Sequence, residues 1–236
     1  MCTYYSEIIN DHAMVLIDDS RLIQELQKSP AGYMRKMALY MKNAIPLFNK
    51  PKEAVGWLKH TNPVFDDYLY APANNPEEGD LIIETGKTGY ELVSAVYLSD
   101  DGYGGIQVEP VSGMEYDAET GNVTIHSPET GKSISIDFYT DGYFERELSE
   151  REKNILGMCV QYVWESRFAN NYLNMQPKIK DRSFDAGSES NHIRVNNERL
   201  KLLKDNLDQE LNDYEQGIYY NSVVIHSGWM SPVENV

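Results

Sequence analysis

One stretch, Gly121 to Tyr214, constrains the fold of this chain more than any other. Two runs of alternating apolar residues, Val123-Thr124-Ile125-His126 and Ser133-Ile134-Ser135-Ile136-Asp137-Phe138-Tyr139, end at an Asp141-Gly142 turn and feed a helical pattern. A period of two predicts half-buried strands, and a period of 3.6 predicts a helix. The change of period is marked by Ser149-Glu150-Arg151-Glu152, a capping box in which the Ser and the Glu three residues on each satisfy a free amide. The helix that follows is apolar over a wide arc, with Ile155, Leu156, Cys159, Val160, Val163, Trp164, Phe168, Tyr172 and Met175. So wide a stripe predicts more than one partner surface. Pro177 ends it, and a polar loop from Lys178 to His192 leads to a second helix carrying Leu200, Leu203, Leu207, Leu211 and Tyr214 on one face. The two helices are expected to pack as an antiparallel hairpin.

Upstream, Ser20 is placed to cap a short helix with Leu22, Ile23 and Leu26, and Ser29-Pro30 opens another carrying Met34, Met37, Ala38, Met41, Ala44 and Ile45 until Pro46. Methionines at helical spacing fill a core more readily than they mark an adaptable binding face. Asn49 is expected to cap a third short helix from Pro51 with Val55, Trp57 and Leu58. Thr61 to Asp80 reads as a connecting loop rich in Pro, Asn and Gly. Strands then follow at Leu81-Ile82-Ile83, Leu92 to Leu98 and Gly105-Ile106-Gln107-Val108, with a tight hairpin from Tyr116 to Val123. The expected class is α+β: an N-terminal helical region at 1–76, an antiparallel β-domain at 77–146 (a small sandwich or open barrel), a helical hairpin at 147–216, and a docking tail at 217–236. That tail holds Tyr219-Tyr220, a candidate strand Val223-Val224-Ile225, and Trp229, too apolar for a solvated end.

Charge narrows the function classes. The net charge is −16, and the stretch 77–146 alone holds 15 Asp and Glu against 3 Lys and Arg. Such a surface repels phosphate, so tight binding of nucleic acid through counterion release is disfavoured. The plain alternative is a solvated acidic face. Tyr outnumbers Phe 17 to 6, which suits contacts that stay partly wet. Met1 to Ser20 lacks a basic region followed by an apolar run, and no stretch approaches the roughly 18 apolar residues of a membrane span, so a soluble, unsecreted chain is expected. Cys2 and Cys159 make no disulfide framework.

Motifs for chemistry fail one by one. Thr85-Gly86-Lys87-Thr88 resembles the end of a phosphate loop, but Leu81 stands where the first Gly belongs. Asp100 and Asp101 with Gly102, Gly104 and Gly105 lack the alternating acids of a calcium loop. The five histidines, His12, His60, His126, His192 and His226, include no i, i+4 pair, so zinc has no local signature. Cys159 on an apolar helix lacks a neighbour favouring its thiolate. The Asp66-Asp67 doublet is a poor glycosidase pair, since adjacent side chains point apart. No cofactor or metal is expected, and no catalysis.

The order and spacing of several short motifs carry a family resemblance: Gly121-Asn122-Val123-Thr124-Ile125, Gly131-Lys132-Ser133 through Tyr139, Asp141-Gly142-Tyr143-Phe144, Leu148, Ile155-Leu156, Met158, Trp164, Ser183-Phe184 and Ser190-Asn191-His192. Over roughly residues 90 to 215 the chain resembles the neck, or head-to-tail connector, proteins of tailed bacteriophages, crAss-like phages included. The resemblance implies a virion protein assembled in the host cytoplasm. It implies a homo-oligomeric ring of about twelve copies that contacts the portal and other neck or tail proteins, with the β-domain and helical hairpin shared between neighbours. Genomic DNA would pass through it at DNA ejection without being held, and no membrane is involved. Subunit contacts are then expected from Trp164, Phe168, Arg182, Phe184, Asn191, His192 and Trp229, Phe184 being a lone aromatic in a polar loop. The acids Glu84, Asp100, Asp101 and Glu109 are expected to line the channel. The competing class is a carbohydrate- or surface-binding module in which Tyr90, Tyr97 and Tyr103 stack on a sugar. An enzyme whose site assembles only in three dimensions is the third.

Overall fold

The computed structural model describes residues 2–17, 19–52, 54–71, 79–100, 102–175 and 186–227, with backbone alone at 21, 54–55, 168–175, 186–193 and 221–227. In chain order the elements are β1 (Thr3–Tyr4), α1 (Tyr5–Ile8), a π-helical turn (Ile9–Ala13), α2 (Met14–Ile17), α3 (Ser20–Lys28), α4 (Pro30–Ala44), a 3-10 turn (Ile45–Leu47), α5 (Ala54–Trp57), β2 (His60–Thr61) and β3 (Val64–Tyr70). There follow β4 (Asp80–Glu84), β5 (Glu91–Asp100), β6 (Ile106–Pro110), β7 (Met114–Asp117), β8 (Asn122–His126), β9 (Ser133–Thr140), β10 (Tyr143–Phe144), α6 (Glu150–Met175) and α7 (Ala186–Ser227). The class is α+β, with helices at both ends and antiparallel strands between them.

The chain forms two compact units that alternate along the sequence. One comprises Met1–Asp18, Leu39–Thr61 and Tyr143–Val236, the other Asp19–Ala38 and Asn62–Gly142. The sequence divisions expected above are contiguous, whereas these units interleave: the N-terminal helices are split between them.

The second unit is a two-layer sandwich. A four-stranded sheet in the order β3-β9-β5-β6 and a three-stranded sheet in the order β4-β8-β7 are antiparallel throughout. Their inner faces meet in one core, with Leu81, Ile83, Val123 and Ile125 from the smaller sheet and Ala95, Tyr97, Ile134, Ile136 and Phe138 from the larger. Each fully buried Ile or Phe here contributes about 1.5–3 kcal/mol. Alternation along β9 explains its central place, since Ile134, Ile136 and Phe138 turn inward and Ser133, Ser135 and Asp137 outward. β3 corrects the expectation of a loop at 61–80. Its seven residues pair in full register with β9, from Val64 opposite Thr140 to Tyr70 opposite Ile134. The Asp66-Asp67 doublet and the unbroken run Tyr68-Leu69-Tyr70 leave β3 with no polar–apolar alternation to read.

The first unit is built on α6. The capping box forms as expected: the Ser149 amide and hydroxyl both donate to Glu152 Oε2, at 2.7 and 2.9 Å, and the Glu152 amide donates to Ser149 Oγ at 3.3 Å. α6 lies against the N-terminal π-helical turn at Gly157, where an added Cβ would sit 2.9 Å from His12 Cβ and 3.2 Å from the Ala13 amide nitrogen. Gln161 Nε2 donates to the Leu16 carbonyl at 2.7 Å, tying the same face to α2. On its other side α6 pairs with α7 through Arg151–Glu210 at 2.7 Å and Glu165–Arg199 at 2.6 Å. Residue numbers rising on one helix and falling on the other make the pair antiparallel, as expected. A small sheet β1-β10-β2 completes the unit.

Three further expectations change. The polar loop to His192 is helical from Ala186, and the candidate strand Val223-Val224-Ile225 is helical too, since α7 runs on to Ser227. No proline interrupts 186–227, and one continuous helix satisfies more backbone groups than a loop and a lone strand. The helix expected from Pro51 is only Ala54–Trp57, and Asn49 spends its amide on the Leu47 carbonyl at 3.0 Å.

Candidate interaction surfaces

The expected contact residues fall into two groups. Arg182, Phe184 and Trp229 lie outside the described residues, as does the acid Asp101; Phe168 stands on α6, and Asn191 and His192 on α7, where backbone alone is described. Trp164 is placed fully, and it faces its own chain. It is 2% exposed, the Tyr40 ring meets it edge-on at 5.2 Å, and the Arg167 guanidinium lies 4.3 Å from its ring centre. Arg167 Nη1 also donates to Tyr40 Oη at 2.7 Å, so one cation holds both aromatics. This packing leaves Trp164 no surface to offer a neighbour. Near the helix start, buried Glu152 accepts from Arg146 and from the Tyr214 hydroxyl as well as from Ser149. Burial alone would raise its pKa, but these donors outweigh burial and hold the carboxyl below its usual range. Burial and the same carboxylate push the Tyr214 phenol up.

Each sheet of the sandwich has an outer face, and the two differ in chemistry. Residues paired across strands share a face. On the four-stranded sheet this puts Phe65, Asp67 and Leu69 of β3 with Ser135, Asp137 and Tyr139 of β9, then Val96, Leu98 and Asp100 of β5 with Ile106 and Val108 of β6. One end of this face is occupied by α4: Arg35 lies 3.6 Å from Asp137 and stacks 5.7 Å over the Phe65 ring. The other end is bare. Leu69 is 64% exposed, Ile106 71% and Val108 58%. Together with Leu98, Asp100 and Ser133, Leu69 and Ile106 border an open hollow of about 380 Å³. Several adjoining exposed aliphatics on one sheet face mark a contact surface more strongly than scattered ones would.

The outer face of the three-stranded sheet is acidic. It carries Asp80, Ile82 and Glu84 on β4, Asn122, Thr124 and His126 on β8, and Glu115 and Asp117 on β7. His126 sits between two of these acids, with Nδ1 2.9 Å from Asp80 and Nε2 3.7 Å from Glu115. The hydrogen bond and the charge of Asp80, followed by the Glu115 charge, raise the imidazole pKa.

The expected channel acids therefore do not form one set. Glu84 belongs to this acidic face. Asp100 lies beside the bare apolar end of the other sheet, where its Oδ1 accepts from the Gly102 amide at 2.8 Å. Glu109 pairs across from inward-facing Tyr97, and Lys132 bridges it to Glu129. Sequence reasoning missed Asp80, Glu115 and Asp117, which strand alternation would have found once β4 was paired with β8 and β7 with β8. It also missed Leu69, which needs β3 to be read as a strand.

The remaining candidates serve the fold. Thr85 Oγ1 donates to the Gly121 carbonyl at 2.6 Å, Lys87 pairs with Asp66, and the Tyr116 hydroxyl donates to the Lys87 carbonyl. This clasp fits only because residue 121 is Gly: with φ +74° its absent Cβ would stand 2.7 Å from the Lys87 nitrogen. Burial pushes the Cys159 thiol up to about 12. Tyr97 is buried in the core, Tyr90 packs edge-on to Phe138, and Tyr103 projects from the β5–β6 turn, so the three do not share a stacking face. Among the described residues no cluster of three metal-capable side chains is present, and no helix is long and apolar enough to cross a membrane. Neither protein families, curated proteins nor solved structures give a match to this chain.

Proposed function

We propose that this chain is a structural ring subunit, of the kind that forms the neck of a tailed phage, joins portal to tail, and lets genomic DNA pass. The observation that carries the reading is the difference between the two outer faces of the sandwich. A bare apolar patch at Leu69, Leu98, Ile106 and Val108 suits a protein neighbour. The face holding Asp80, Glu84, Glu115 and Asp117 suits a polyanion that must move past without binding, because like charge keeps it from sticking. In a closed head-to-tail ring such an apolar patch seats on a different surface of the next subunit, which leaves the acidic face free to border the bore. The motif order from Gly121 to His192, with its resemblance to neck proteins, supplies the virion setting.

Light scattering of the purified chain, followed by imaging of particles, tests this. A closed ring in the particle is the expected result, and a chain absent from any virion sinks the phage assignment. Reversing Asp80, Glu84, Glu115 and Asp117 to Lys is expected to slow DNA passage. Unchanged passage removes the channel role while leaving the structural one.

A further inference from the structure

The bare half of the four-stranded sheet's outer face has a template for its cover within the same unit. On the covered half, a helix supplies a cation that pairs with an outward acid and stacks on an outward ring: Arg35 of α4 on Asp137 and Phe65. The bare half keeps one part of this arrangement, an outward acid at Asp100, and has aliphatics at Leu69, Leu98, Ile106 and Val108 in place of the ring. What fits it is a helix carrying exposed aliphatics on one face with cations beside them.

The N-terminal half of α7 has that composition. Val195 and Leu202 are 54% and 60% exposed and lie seven residues apart, on one face with Glu198 and Arg199. Arg194 and Lys201, both exposed, each precede one of the two aliphatics. Of the four cations between 194 and 204, Arg199 and Lys204 pair with Glu165 and Asp208, which leaves Lys201, and Arg194 at 4.0 Å from Glu198, to meet an acid on a neighbour. Further along, α7 turns Leu207 and Leu211 inward, so its own unit covers that stretch and leaves Val195 and Leu202 open. The dimensions agree as well. Seven residues of helix span about 10.5 Å, and the two strand spacings from β3 to β5 span about 9.5 Å.

We infer that the N-terminal half of α7 in one copy of this chain docks on the bare outer face of the four-stranded sheet in the next copy, Val195 and Leu202 against Leu69, Leu98, Ile106 and Val108, with Lys201 or Arg194 answering Asp100. Charge decides against the symmetric alternative. Two bare sheet faces meeting each other would put the Asp100 of both copies into one apolar contact, whereas a helix with cations beside its aliphatics answers that acid. Made in one direction the contact is heterologous, and its repetition closes into a ring or propagates. The inference rests on the reading that copies of this chain assemble, and it does not require the phage setting.

The test mixes two full-length variants, both carrying Cys2→Ser: one with Val108→Cys, the other with Leu202→Cys. Under mild oxidation the expected product is the mixed disulfide dimer, in excess over either like-with-like dimer. Adding Lys201→Glu and Arg194→Glu to the α7 partner is expected to abolish that excess, and adding Asp100→Lys to the sheet partner to restore it. Circular dichroism of each variant establishes that it is folded before mixing. Light scattering of the unsubstituted chain at rising concentration runs alongside. Association without the mixed disulfide overturns the docking geometry and leaves the ring reading standing. Neither association nor mixed disulfide overturns the docking, and the ring reading then stands or falls on whether imaging finds the ring in particles. A mixed dimer indifferent to the charge changes overturns the electrostatic match and with it the assigned pairing.

Discussion

Two apolar surfaces in this protein have opposite fates. α6 carries the widest apolar stripe in the sequence, and within its unit the part with described side chains, Ile155 to Trp164, is covered: Gly157 admits the backbone of the N-terminal turn, Gln161 ties to Leu16, and Tyr40 and Arg167 enclose Trp164. The outer face of the four-stranded sheet has a far weaker signature, yet its Leu69, Ile106 and Val108 stand bare. The width of an apolar stripe says how much cover an element needs. It does not say whether the cover comes from the same chain.

Substitution separates the two most sharply at Trp164. Trp164→Ala is expected to cost about 3–5 kcal/mol of stability, because it empties a buried site and removes one of the two rings that Arg167 holds. Val108→Thr, on the bare face, is expected to stay within about 0.5 kcal/mol. Urea unfolding at a common protein concentration measures both. Near-equal effects would mean that the sheet face is buried in the state being unfolded, and the contrast would be lost.

A smaller effect is expected at Glu152, where the cover of α6 is polar. Glu152→Ala removes the reciprocal cap, takes the Glu152 acceptor from the Tyr214 hydroxyl and leaves Arg146 with the Trp57 carbonyl, a loss of about 2–3 kcal/mol, discounted because Arg146 is partly exposed. Glu152→Gln keeps the cap geometry and loses the charge, so it should cost less. The carboxyl pKa is lowered in the folded chain. Its contribution is therefore fully present above the unfolded value of about 4.3 and is lost as pH falls through the lower folded value. Stability of the Ala variant, measured from neutral pH down through the carboxylate range, should fall less steeply than that of the natural chain. Parallel curves would show that Glu152 is no acid-sensitive tie.

Most of the architecture was legible because local chemistry and tertiary structure agree. The Ser149–Glu152 box, the Ser29-Pro30 start and the inward alternation of Ile134, Ile136 and Phe138 read the same way in the sequence and in the fold. β3 was not legible, since Asp66 faces the inner side to meet Lys87, a residue 21 positions on, and nothing local announces that partner. α7 was longer than its heptad rhythm, because a polar run without Pro extends a helix that its apolar half has already started. The surfaces were the least legible. Glu84, Asp100 and Glu109 look alike in sequence, and strand pairing alone separates them into an acidic face, the edge of an apolar patch and a bridge to Lys132.

The smallest expected effect lies at His126, and it asks whether an uncovered face is nevertheless electrostatically organised. Its ring bridges Asp80 on β4 and Glu115 on β7 from the central strand of the three-stranded sheet, so a protonated imidazole ties both edge strands to the middle one. The Asp80 hydrogen bond is the main cause of the raised pKa, with the Asp80 and Glu115 charges adding to it. A raised folded value means that the stabilisation is fully present below the unfolded value of about 6.5 and is lost as pH rises through the folded one. Following the His126 ring protons by NMR should give a midpoint above the ordinary histidine value, moved down by Asp80→Asn and, to a lesser extent, by Glu115→Gln. A midpoint at the ordinary value that ignores both substitutions would mean that solvent screens this face completely. The acids there would then act as separate solvated charges, in contrast to the enclosed carboxylate of Glu152.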